Sequence, residues 1–189
     1  RQLGIVESTA LAQQTPGLVY ASPIGEGQNP VFAIRGVGLN DFSEHNEAPG
    51  AVYVDGVYNG TLAGVNFQLF DLDRVEILRG PQGTLYGKNA SGGVVHIITR
   101  DPTPELSGTA AATAIEDNEY RLDGSVGGPL TDSLGFRLTG SGVDDDGYAE
   151  NVYTGDTIND SESYNARGKL LWQASDALEG MLTSDYSTS

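Results

Sequence analysis

The sequence predicts a small α+β domain followed by a run of antiparallel, amphipathic β-strands, and three observations carry that prediction. The first is composition: 189 residues with 26 glycines and 38% hydrophobic side chains suit many short strands joined by turns. The second is a break at Asp101-Pro102-Thr103-Pro104, where two prolines remove backbone donors and push their predecessors toward extended conformations. Neither a helix nor a central strand runs through such a segment. The third is a change of pattern at that break: apolar residues come in short runs before it and alternate with polar residues after it.

The elements follow in order. Ser8 to Gln14, with Thr9 as N-cap and Thr15-Pro16-Gly17 as a stop, predicts a short helix. Apolar runs at Val31 to Ile34, Ala51 to Val54, Val75 to Leu78 and Val94 to Ile98 predict four short strands. They are separated by Arg35-Gly36-Val37-Gly38, Asp55-Gly56 and Arg79-Gly80-Pro81-Gln82-Gly83, all turn-forming. These elements suffice for a modest core.

From Leu106 onward the alternation defines faces. Tyr120, Leu122, Gly124 and Val126 oppose Arg121, Asp123 and Ser125; Leu134, Phe136, Leu138 and Gly140 oppose Gly135, Arg137 and Thr139. Ala166, Gly168, Leu170 and Trp172 oppose Arg167, Lys169 and Leu171; Leu178, Gly180 and Leu182 oppose Glu179, Met181 and Thr183. Gly108 to Ile115 adds a fifth segment, too rich in Ala and Thr for its faces to be assigned. Tight connections are expected at Gly128-Pro129-Leu130-Thr131-Asp132 and Ser175-Asp176-Ala177, with a long one from Asp144 to Ser163. Short turns at one end and longer loops at the other fit an outer-membrane barrel, and the alternation fits a soluble sandwich equally well. Because bacterial barrels begin at about eight strands, about five make an incomplete one.

Charge and chemistry narrow the function classes. Ten Lys and Arg against 26 Asp and Glu give a net charge of −16, which argues against a nucleic-acid binder. Residues 1–105 hold six basic and eleven acidic side chains, residues 106–189 four and fifteen, so the second part is the more acidic. No apolar run approaches the roughly 18 residues of a membrane-spanning helix. There is no Cys, and neither an initiator Met nor a signal core stands at Arg1, as expected of a mature or internal piece. A phosphate-binding loop ending at Gly87-Lys88 would need Gly where Gln82 stands and a hydroxyl where Asn89 stands. Ser91 lacks the first Gly of a nucleophile elbow, and His45 and His96 are the only histidines, so no enzyme is expected. His96 alternates inside its strand and reads as a satisfied core or lumen residue. Asp144-Asp145-Asp146-Gly147 and Asp156 to Glu162 miss the spacing of a calcium loop and read as a solvated acidic loop. No metal or cofactor is expected. Tyr148, Tyr153, Tyr164 and Trp172 lie near strand ends, as in an aromatic girdle.

Residues 74–100, RVEILRGPQGTLYGKNASGGVVHIITR, closely resemble the end of the plug domain of TonB-dependent outer-membrane receptors. Three further pieces agree in order: Leu11-Ala12-Gln13-Gln14-Thr15-Pro16-Gly17, Phe32-Ala33-Ile34-Arg35-Gly36-Val37-Gly38 and Val52-Tyr53-Val54-Asp55-Gly56-Val57-Tyr58. The resemblance covers about residues 5 to 102 and implies a plug domain at 1–102 followed, at 103–189, by the first strands of a transmembrane β-barrel. It implies location in the cell outer membrane and active uptake of a scarce extracellular ligand: a ferric siderophore-like complex first, otherwise cobalamin or an oligosaccharide. Energy would come from the TonB complex of the inner membrane through an N-terminal box expected before Arg1.

By the same resemblance Arg35 and Arg79 lock the plug to carboxylates of the barrel wall, expected beyond Ser189. Asn40, Asp41, Phe42 and His45 in one plug loop, and Asn59 and Asn66 in another, would face the ligand. In a barrel, Leu134, Phe136, Leu138, Leu170 and Trp172 would face outer-membrane lipid and Arg137, Arg167 and Lys169 the lumen. The competing reading is a soluble extracellular β-rich domain that binds glycans or calcium. A passive porin would lack the plug.

Overall fold

The computed structural model describes residues 15–21, 31–38, 50–59, 70–115, 119–147, 149–150, 157–158 and 160–188. It divides after Arg100 into two compact units. The helix expected over Ser8 to Gln14 lies outside the described residues.

Among the described residues the first unit holds two sheets. Strands β1 (Leu18–Ala21), β2 (Val31–Ile34) and β3 (Val37–Gly38) form a three-stranded antiparallel sheet in that order. Strands β4 (Gly50–Val54), β5 (Val57–Asn59), β6 (Leu72–Arg79) and β7 (Gly93–Thr99) form a four-stranded sheet ordered β5-β4-β7-β6, with β4 and β7 parallel. One helical turn, α1 (Gly83–Tyr86), lies between β6 and β7.

All four expected strands are present, but the described residues of the unit form seven, because β1, β3 and β5 were not anticipated. The last two exist because Arg35-Gly36 and Asp55-Gly56 are hairpin turns rather than open loops. Each has positive φ at both central residues, 53° and 79° in the first and 48° and 81° in the second, the signature of a type I′ turn that returns the chain at once. Alternation then sorts the core. Val52, Val95 and Ile97, with Val54, Val75 and Ile77, pack against Leu18 and Ile34 of the smaller sheet. Gly93 permits that contact: a Cβ there would stand 2.5 Å from the Leu78 carbonyl oxygen and 2.8 Å from Ile34 Cδ1. The opposite face carries Ala51, Ala90 and Val94 beside Tyr53, Tyr58, Leu78 and Tyr86.

In the second unit β8 (Ser107–Ile115), β9 (Glu119–Thr131), β10 (Leu134–Asp145), β13 (Ser161–Ser175) and β14 (Leu178–Thr188) form one antiparallel sheet with β8 and β14 at its edges. A separate two-stranded ribbon, β11 (Ala149–Glu150) and β12 (Thr157–Ile158), sits within the long connection. The strands run longer than expected, and two boundaries are corrected. The turn expected to include Pro129 is shorter: β9 continues through Pro129 to Thr131, and the chain reverses at Asp132-Ser133. Pro129 is tolerated because Leu130 is bulged out of the register there and β8 does not extend past Gly127, so the ladder is locally an edge. The long connection likewise loses Asp144 and Asp145 to β10 and Ser161 to Ser163 to β13. It does lie at the opposite end from the turns at Asp132 and Asp176, as the antiparallel registers require.

Candidate functional site

Arg35 occupies the first central position of its I′ turn, a left-handed conformation that Asn, Asp or Gly adopts more readily than Arg. Its amide donates to the Gly17 carbonyl at 2.6 Å, and its Cγ lies over Gly17, which tie the hairpin back to the start of β1. Arg79 is the last residue of β6, immediately before Gly80, whose φ of 89° turns the strand away. Gly93 stands directly opposite Arg79 in the β6–β7 register, and Gly93 is also the residue pressed against Ile34, the neighbour of Arg35. Both arginines are exposed in this chain. Each sits in a turn or at a strand end, and neither points its length into the core that ends beside it.

Of the residues expected to face ligand, Asn40, Asp41, Phe42, His45 and Asn66 lie outside the described residues. Asn59, expected in a loop, instead ends β5, half-buried and opposite Val52. The Asp55-Gly56 hairpin extends the ladder that far.

A row of side chains crosses the four-stranded sheet that sequence reasoning did not assemble. Tyr58 pairs with Tyr53, Tyr53 with His96, and His96 with Glu76, each directly in register across β5, β4, β7 and β6. Tyr86 of α1 closes over it, its ring centroid 5.1 Å from Tyr53 and 6.3 Å from His96. The Tyr53 hydroxyl donates to the Tyr86 carbonyl at 2.6 Å, and Asn89 Nδ2 donates to the Tyr58 hydroxyl at 2.7 Å. His96 Nε2 accepts the Gly56 amide at 3.2 Å, and Nδ1 lies 3.9 Å from Glu76 Oε2. Arg74 Nε holds the other Glu76 oxygen at 2.7 Å and Nη1 holds Asp73 at 2.6 Å, so these acids raise the Arg74 pKa, Glu76 first. The parity of these residues was visible in sequence. Their juxtaposition depends on the β4–β7 pairing, between strands about 40 residues apart, which local pattern does not encode.

The second unit inverts the usual distribution of polarity. Arg137 and Lys169, directly opposite one another, are only 4% and 3% exposed, and Arg121, Thr139, Ser141 and Asn165 are buried on the same face. Leu138 and Trp172 are each 55% exposed on the other face, with Leu122, Leu170, Leu182 and Tyr186. Phe136 pairs with Leu170 and Leu134 with Trp172, so the expected grouping of apolar and cationic residues onto separate faces is found. All four Lys and Arg of residues 101–189 belong to the polar face. Lys169 is neutralised by Asp101 at 2.8 Å, Arg167 by Asp185 at 2.5 Å, and Arg137 donates to Ser125 at 3.2 Å.

Comparison with known proteins agrees with this arrangement. A family model described as the TonB-dependent receptor plug domain matches residues 1–94. The chain is 36% identical over 118 residues to the ferric enterobactin receptor PirA of Pseudomonas aeruginosa, covering 54% of this chain and 16% of that protein. It is 29% identical over 184 residues to the vitamin B12 transporter BtuB of Vibrio vulnificus, covering 93% of this chain and 28% of that one. Among solved structures, the ferric yersiniabactin uptake receptor FyuA from Yersinia pestis superposes with a TM-score of 0.85 at 30% identity, over 97% of this chain and 29% of that receptor. The chain thus spans less than a third of the length of each of these relatives.

Proposed function

Since the chain belongs to the TonB-dependent outer-membrane receptor family, we propose that its parent protein actively takes up a ferric siderophore-like complex with energy delivered by the TonB complex. Residues 1–102 act as the plug, and the five strands after Leu106 are the first of a β-barrel. TonB engages a short N-terminal box of the parent protein. The observation that carries the barrel reading is the bare apolar face of the five-stranded sheet: a soluble sandwich would bury Leu138, Leu170 and Trp172 between its sheets, whereas lipid covers them in a membrane. Cobalamin is the second cargo to test, because a vitamin B12 transporter aligns with 93% of the chain.

The experiment is uptake of radiolabelled ferric siderophores, with labelled cobalamin in parallel, by cells carrying the full-length receptor as their sole such transporter. Uptake of a siderophore that stops when TonB is deleted is expected. Accumulation of cobalamin alone would reassign the cargo, and TonB-independent entry of all probes would reject active transport.

In this reading Arg35 and Arg79 jointly face the barrel wall and pair there with carboxylates in bidentate fashion. Their support is the shared neighbourhood of Gly93 and, for Arg35, the presence of Arg at a left-handed position. Replacing either with Ala in the full-length receptor should raise susceptibility to large antibiotics and single-channel conductance at equal expression. Unchanged permeability in both variants would reduce these residues to turn-formers. Asn40, Asp41, Phe42, His45 and Asn66 remain the proposed ligand-facing loop residues, with Asn59 at the root of the second loop.

A further inference from the structure

We propose that His96 is a proton-operated latch on the four-stranded sheet: on protonation its imidazole releases the Gly56 amide and turns to Glu76. In the structure Nε2 accepts the Gly56 N–H at 3.2 Å, so that nitrogen carries no proton and the neutral ring bears its proton on Nδ1. Nδ1 is buried without a hydrogen-bond partner, and the Glu76 carboxylate waits at 3.9 Å. A proton from solvent, which reaches the 18%-exposed side chain, makes both nitrogens donors. Nε2–H and the Gly56 N–H then meet donor to donor, while Glu76 offers the imidazolium an acceptor of opposite charge. The two protonation states therefore favour different partners, one on the β4–β5 turn and one on β6.

The surroundings make the exchange matter. Among the described residues, the groups facing His96 are Tyr53 from β4, Tyr86 from α1 and Glu76 from β6, with Tyr58 next across the sheet on β5. Arg74 binds the second Glu76 oxygen. On the turn itself, the Asp55 amide donates to the Ile97 carbonyl at 2.9 Å, and the Asp55 carboxylate accepts from the Thr99 amide and hydroxyl at 2.8 and 2.6 Å. The Gly56 bond to His96 is an attachment of this turn to β7 that protonation of the ring removes directly. Beyond the turn lies β5, a three-residue strand that among the described residues stands at the edge of the sheet with β4 as its neighbour. Protonation therefore loosens the edge of the sheet at its shortest strand. The consequence for transport, easier detachment of that edge at acid pH, rests on the plug reading above.

The test is amide hydrogen exchange of the full-length receptor in lipid vesicles, corrected for intrinsic chemical exchange, between about pH 8 and about pH 5, the range in which histidines change charge. Peptides covering Gly56 to Asn59 should lose about tenfold in protection as the pH falls. His96→Gln, whose amide oxygen can accept from Gly56 but does not titrate, should abolish the change. Glu76→Gln should show a smaller loss at about pH 5, because the protonated ring then has no charged acceptor to turn to, and this variant carries the test if His96→Gln does not assemble. Protection that is independent of pH in the wild type, an equal loss in His96→Gln, or an undiminished loss in Glu76→Gln would overturn the latch. Failure of siderophore uptake would leave these exchange results intact, and the reverse also holds.

Discussion

The four-stranded sheet of the first unit buries Val52, Val95 and Ile97, whereas the five-stranded sheet of the second buries Arg121, Arg137, Asn165 and Lys169 and leaves Leu138, Leu170 and Trp172 bare. Both are built from strands in which apolar and polar residues alternate, so the difference does not lie in periodicity. It lies in which medium each face meets. In the first sheet the apolar side is removed from water by Leu18 and Ile34 of a second sheet, the ordinary hydrophobic drive. In the second the apolar side has no protein partner among the described residues, and in a membrane lipid takes that role. A β-sheet's alternation therefore reports that two environments exist and is silent about which of them is water.

Substitutions that respect one sheet's environment and violate the other's sharpen this contrast. The largest effect is expected at Gly93, where Ala combines a φ of 146° with a contact of 2.5 Å to an immovable carbonyl, for a loss of about 4 kcal/mol. Gly180→Ala, with nothing within 4 Å on the bare face, should change stability by less than about 0.5 kcal/mol. Urea unfolding of the receptor in lipid vesicles measures both, and equal effects would erase the distinction. Next, Leu138→Lys on the bare face should cost about 2 to 4 kcal/mol in lipid, against less than about 1 kcal/mol for Thr109→Lys on the other face of the same sheet. Comparable costs in lipid would place the wrong face outward.

Smaller still is Asp55→Ala, which removes a carboxylate holding the Thr99 amide and hydroxyl and should cost about 2 kcal/mol, visible as faster exchange at the end of β7. Asp185→Asn should be smallest, about 0.5 kcal/mol. Its bond to Arg167 is short, but the Asp185 side chain is half exposed and solvent screens the pair. A double-mutant cycle giving more than about 2 kcal/mol for that pair would mean that this edge of the sheet is drier than its exposure implies.

Much of the architecture was legible in the sequence because it rests on local rules. The apolar runs marked β2, β4, β6 and β7, the prolines at 102 and 104 marked the end of regular structure, and alternation sorted Phe136 from Arg137 without any knowledge of pairing. The failures have local causes as well. Strands of two and three residues such as β3 and β5 carry no periodicity, and only the I′ geometry of the preceding dipeptide reveals them. Pro129 was misplaced because its tolerance depends on a bulge and on where β8 begins, neither of which is written near Pro129. The candidate site was less legible than the fold. The motifs located Arg35 and Arg79, yet the row from Tyr58 to Glu76 required a parallel pairing across about 40 residues, and its members look unremarkable one at a time.

Arg35 shows how selection for robustness and selection for use would diverge in this domain. An L-residue of ordinary side chain held at a φ of 53° sacrifices about 1 kcal/mol relative to Gly or Asn at the same place. A screen of variants for melting temperature alone would therefore enrich Arg35→Gly and Arg35→Asn. A screen that asked cells to exclude bulky toxins would, on the lock proposed above, discard those same clones. Sequence design guided only by thermostability would erase the residue without any sign of damage in the purified protein.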